Sequence, residues 1–155
     1  MTDTPTWLEH AVKIYDDDNH ADGDVLSHDW IKYALEISEP RNMEEAKRTQ
    51  WTLLHRVETF KDWLLVERST ALQTVRGKGY LIVPPKDQAR FAAEEAMGMV
   101  RKGLDKGARI IEYARLSEMD DDARRRHTDT GIRLCGIRDM MKRQKRDVFK
   151  LFAPS

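Results

Sequence analysis

Two adjacent prolines, Pro84-Pro85, place the strongest constraint on how this chain can fold. Proline has no amide proton to give to a β-ladder, so a strand that reaches the pair must stop there. Before it lie two short β-rich runs, Ala71 to Val75 and Tyr80 to Val83, joined by Arg76-Gly77-Lys78-Gly79. That is the pattern of a hairpin with a glycine-containing turn. From Lys86 onward the apolar residues keep helical spacing, and no further strand signal occurs.

Upstream of the hairpin the periodicity is also helical. Trp7 to Tyr15 suits one or two turns of amphipathic helix opened by Thr4-Pro5, and Asp16 to Asp24 is polar enough to predict a loop. A second helix is predicted from Ser27, a good N-cap, to about Ser38, with Pro40 ending it. Asn42 caps the next, whose stripe of Ala46, Trp51, Leu53, Leu54, Val57, Phe60, Trp63 and Leu64 reaches about Glu67 without a glycine or proline. A run that long allows for a break near Thr49 to Thr52.

Downstream, Lys86 to about Leu116 sets Ala93, Met97, Val100, Leu104, Gly107, Ile111 and Ala114 on a near-heptad seam. From about Asp120 to Phe152 the corresponding seam is Ala123, Thr130, Leu134, Ile137, Met141, Val148 and Leu151. The pair reads as an antiparallel helical hairpin. Seams this narrow bury little surface, so the hairpin should pack on the N-terminal domain, on a second copy, or on both. The expected organisation is an acidic helix and loop over 1–26, a compact domain over 27–85, and a dimerising hairpin over 86–155 that makes a homodimer.

At 40% hydrophobic and 35% charged, the composition gives one modest core beneath a solvated surface, since that much charge is not buried unpaired. At 155 residues the chain suits one domain, or one small domain with an extension, and a large multidomain enzyme is not expected. No run approaches the roughly 18 to 20 apolar residues of a membrane crossing, and a cytoplasmic protein is expected. Cys135 is the lone cysteine, which excludes an internal disulfide and a multi-cysteine zinc cage. Its apolar neighbours predict a small core residue. The net charge of zero conceals polarity: residues 1–26 hold seven acids and one base, and residues 85–155 hold twelve acids and seventeen bases.

Motifs of catalysis and metal binding are weak. Asp18 to Asp29 tracks a calcium loop in part, but His20 stands where an oxygen ligand belongs and Asp29 is shorter than the usual glutamate. The five histidines show no paired metal spacing, and no phosphate-binding loop or nucleophile elbow occurs. The expectation is a non-enzyme without metal or cofactor.

The hairpin tip carries the functional signal. Glycine brings no bulk, so Arg76 and Lys78 can approach a phosphate backbone; the same sequence also makes an ordinary solvated turn. On the preceding helix, Lys47, Arg48, Gln50, Thr52, His55, Arg56, Thr59 and Lys61 are side chains able to address phosphates or base edges. Glu58 and Asp62 on that helix would be repelled by phosphates, and a solvated face of mixed charge is the alternative reading. Lys142, Arg143, Lys145 and Arg146 form a second basic patch, whereas Arg124 to Arg126 lie beside Asp120 to Asp122 and suit local pairing. Met97, Met99, Met119, Met140 and Met141 suit either a core or a partner surface.

Leu72-Gln73-Thr74-Val75-Arg76-Gly77-Lys78-Gly79-Tyr80 resembles the wing of OmpR-type winged-helix transcription factors, whose effector domains end in a Gln-Thr-Val-Arg-Gly-x-Gly-Tyr pattern. The helix before it is similar in placement to their recognition helix. The resemblance implies a recognition helix in the major groove of double-stranded DNA, Arg76 and Lys78 on the sugar-phosphate backbone, Gly77 and Gly79 shaping the turn, and Tyr80 packing inward. The chain departs from that family in having no clear N-terminal four-stranded sheet and in continuing past the wing into two helices. Its size, charge polarity and added helices are also similar to phage or mobile-element accessory proteins. The expected fold is mainly α with a small β-hairpin, a winged helix-turn-helix followed by a long antiparallel helical hairpin. The expected function is non-enzymatic DNA binding by a small transcriptional regulator or phage accessory factor. The alternative is a module that grips a host protein through the Met-rich hairpin or the acidic head.

Overall fold

Pro5 presets the backbone for α1 (Thr6–Asp18), and its carbonyl accepts from the amides of Leu8 and Glu9. A computed structural model describes residues 4–154 and divides the chain into two units, Met1–Gln88 and Ala89–Ser155. In the first unit, α1 continues three residues past Tyr15, through acids expected to form a loop. Tertiary partners hold that turn: Asp16 accepts from Arg68 at 2.9 Å and Asp18 from the Trp30 indole at 2.6 Å. Asn19, left-handed at φ 50°, ends the helix.

The sequence reading missed a strand. β1 (Val25–Ser27) pairs antiparallel with β3 (Gly79–Ile82), and β2 (Leu72–Val75) pairs with β3 from the other side, giving the order β1-β3-β2. Ser27 then caps α2 (His28–Ala34) by accepting from the Trp30 amide at 3.1 Å. This helix stops well short of Ser38. Glu36 turns left-handed at φ 53°, and the Glu36 and Ile37 amides fold back to the Tyr33 and Lys32 carbonyls at 3.2 and 2.8 Å, so Pro40 is not the terminator.

Helix α3 (Met43–Arg68) runs 26 residues without the break allowed for near Thr49. Asn42 accepts from the Glu45 amide at 2.8 Å, and left-handed Ser69 closes the far end. Phe60 and Leu64 of α3 are fully buried with Ile31 and Leu35 around α2, Leu26 of β1 and Ile82 of β3. Leu8 and Ala11 of α1 belong to the same cluster. Helix α1 and most of strand β1, within the 1–26 segment, therefore share one core with α2, α3, β2 and β3.

The second unit begins at Ala89, four residues after Pro85. It holds most of α4 (Gln88–Glu112), which starts at Gln88, and all of α5 (Asp121–Lys150), the latter capped by Asp120 on the Ala123 amide at 2.7 Å. The helices are antiparallel: a Cβ on Gly107 would touch Leu134, and one on Gly131 would lie 3.3 Å from Ile111. Ala123, Leu134, Met141 and Val148 of the expected α5 seam are half-buried, but Gly131, which admits Ile111, Arg138 and Phe152 take the inward places expected of Thr130, Ile137 and Leu151, which are exposed. Cys135 is exposed as well, since one neighbouring helix cannot enclose it. No residue of α4 or α5 is buried. Among the described residues, no helix is long and apolar enough to cross a membrane.

Candidate nucleic-acid interface

The turn between β2 and β3 is built on two glycines with different duties. Gly77 takes φ 76°, which a side chain adopts only with strain, while the Lys78 amide closes the turn on the Val75 carbonyl at 3.0 Å. Gly79 takes φ 139°, and a Cβ there would lie 2.0 Å from the Leu26 carbonyl oxygen of β1. The close approach of β1 to β3 thus depends on Gly79. Arg76 and Lys78 are exposed at the tip. Neither forms an ion pair among the described residues.

Tyr80 links this ribbon to the helices. Half-buried against the core, it takes the edge of His28 at a ring separation of 6.2 Å and the Lys61 ammonium at 5.9 Å from its ring centre. Lys61 is also 3.1 Å from Glu58, and its side chain is only 24% exposed. It is a strut between α3 and the ribbon more than a free cation.

The other α3 candidates do not form one surface. Helical spacing puts Lys47, Gln50, Leu54 and Lys61 on one flank, and Arg48, Thr52, His55 and Thr59 on another. Arg48 pairs with Glu44 at 3.0 Å, with both side chains exposed, so the pair is weak. The Thr59 hydroxyl donates back to the His55 carbonyl at 2.9 Å. Arg56 is engaged elsewhere: its guanidinium donates to the Leu35 and Glu36 carbonyls at 2.6 and 3.1 Å and lies 5.2 Å from the Trp7 ring. It closes the end of α2.

Two exposed apolar side chains on α3 escaped the sequence reading. Trp51 is 75% exposed and Leu54 51%, although both were placed on the buried stripe. The six residues from Trp51 to Val57 rotate the helix by about 120° away from the core, a signal present in the spacing itself. Trp51 shares its exposed side with Glu44 and Glu58, one heptad away in each direction.

The remaining candidates lie in the second unit or serve structure. Lys142, Arg143, Lys145 and Arg146 are exposed on α5, with Lys142 at 4.0 Å from Asp139 and Lys145 at 6.0 Å from the Phe149 ring. In the segment that tracks a calcium loop, Asp18 holds the Trp30 indole and Asp24 accepts from the Ala21 amide at 2.8 Å. No three His, Cys, Asp or Glu side chains converge on a metal position among the described residues. Comparison with protein-family models, with curated proteins and with solved structures finds no match.

Proposed function

We propose that the first unit is a winged helix-turn-helix that binds double-stranded DNA, as a small transcriptional regulator or phage accessory factor. The observation that carries this reading is the pair Arg76 and Lys78, held at a glycine-shaped ribbon tip with no carboxylate partner among the described residues. Support also comes from the element order, a helix, a strand, two helices and a hairpin, with the early strand β1 added to the hairpin's β3. In this reading Arg76 and Lys78 meet phosphates, and the first half of α3 offers contacts from two flanks, Lys47 and Gln50 on one and Arg48, Thr52 and His55 on the other. Arg56, Thr59 and Lys61 hold the scaffold. Fluorescence anisotropy of a labelled duplex at low salt tests it: saturable binding that fades as salt rises is expected, and no binding to any duplex overturns it.

A second reading rests on Trp51. A tryptophan 75% exposed among Glu44 and Glu58 suits a protein partner better than a polyanion, and the first unit holds sixteen acids against eleven bases. A host protein captured in stoichiometric amount, insensitive to nuclease and lost on Trp51→Ala, would favour it.

A further inference from the structure

The two helices of the second unit meet along one side and leave apolar surface that a lone hairpin cannot cover. On one face this surface forms a groove of two adjoining hollows, about 290 and 180 Å³, that share Leu104 and Arg138. Met97, Leu104 and Ile111 wall it from α4, and Leu134 and Met141 from α5. From Met97 to Ile111 it runs roughly 21 Å, about four helical turns.

Its rim is basic. Arg101, Arg138, Lys142 and Lys145 border the groove against Asp105 and Glu112. Arg138 Nε is buried with no hydrogen-bond partner among the described residues, and its Nη2 reaches only the Cys135 sulfur at 3.8 Å. Arg138 has no carboxylate partner among the described residues, so the outer N–H groups of its guanidinium can take a charge-assisted bond when a carboxylate enters the groove. The whole unit holds sixteen bases and eleven acids.

We propose that this groove docks an amphipathic helix of an acidic partner protein. Apolar side chains at i, i+3, i+4 and i+7 enter between the Met97–Leu104 and Leu134–Met141 walls, and flanking carboxylates meet Arg138, Lys142 and Lys145. A second copy of the chain would bring the same basic rim against itself. A duplex has no apolar face to fill the groove. No residue of the first unit takes part, so this inference stands or falls apart from the DNA reading.

The test titrates the full chain into a labelled synthetic peptide of about 18 residues, with leucine at the four helical positions and glutamate on both flanks. A peptide with lysine in place of glutamate is the counter-probe. Saturable binding of the glutamate peptide alone is expected, weakened on the order of tenfold by Lys142→Glu with Lys145→Glu. The Met97 and Met141 methyl resonances should shift while that of Met99, which is 70% exposed and outside the groove, stays in place. The proposal is overturned by no binding up to about 100 μM protein or by equal binding of both peptides. It is also overturned by a free protein that sediments as a dimer dissociated by Leu104→Asp, or by a duplex that shifts those methyls where the peptide does not.

Discussion

Arg56 sits on the stretch of α3 that the proposed reading turns toward DNA, yet its guanidinium donates to two carbonyls at the end of α2. Hydrogen bonds from a charged donor to otherwise orphaned helix carbonyls are worth more than a surface ion pair. Arg56→Ala should destabilise the fold by about 2 kcal/mol in urea titration, with DNA affinity changed only through stability. Tyr15 gives a second residue-scale test. Burial, then the nearby carboxylates of Asp22 and Asp16, raise its hydroxyl pKa above the ordinary tyrosine value. The unfolded chain therefore loses this proton at lower pH than the folded one. Its contribution to stability is complete below about pH 10 and declines as pH rises beyond that. Thermal melts of Tyr15→Phe should show a shallower decline above about pH 10 than the native chain.

At the scale of elements, the two turn glycines should respond differently to the same substitution. Gly79→Ala drives a methyl into the Leu26 carbonyl of β1 and should cost about 3 kcal/mol. Gly77→Ala meets open space and carries only the strain of its positive φ, about 1 kcal/mol. Equal effects in denaturant titration would contradict the distinct roles given to them. These elements also show what the chain states openly. The hairpin, the caps at Ser27, Asn42 and Asp120, and the two long helices after Pro85 follow from local rules that act within a few residues. β1 does not, because three residues beside an acidic loop become a strand only when β3 supplies the hydrogen bonds. The end of α2 is hidden for a similar reason, since Glu36 occupies a left-handed position that composition does not announce. In the candidate site, the tip cations are legible from the Arg-Gly-Lys-Gly pattern. The diversion of Arg56 to the end of α2 is tertiary, and no spacing rule contains it.

Across the whole molecule, the two units divide both charge and burial. Among the described residues, all the buried apolar ones belong to the first unit, which carries the acid surplus, while the second has the basic surplus and none that is buried. Native-state hydrogen exchange should accordingly protect amides around Leu26, Phe60 and Leu64 far more strongly than those of α4 and α5. Comparable protection in both units would contradict this division. The central claim, that Arg76 and Lys78 act on a polyanion, is tested most directly by the salt dependence of duplex affinity. For the native chain and for Arg76→Ala with Lys78→Ala, log K is measured against log salt. Loss of two phosphate contacts should weaken binding and reduce the steepness of the slope by about 2. An unchanged affinity and slope in the double variant would contradict the account.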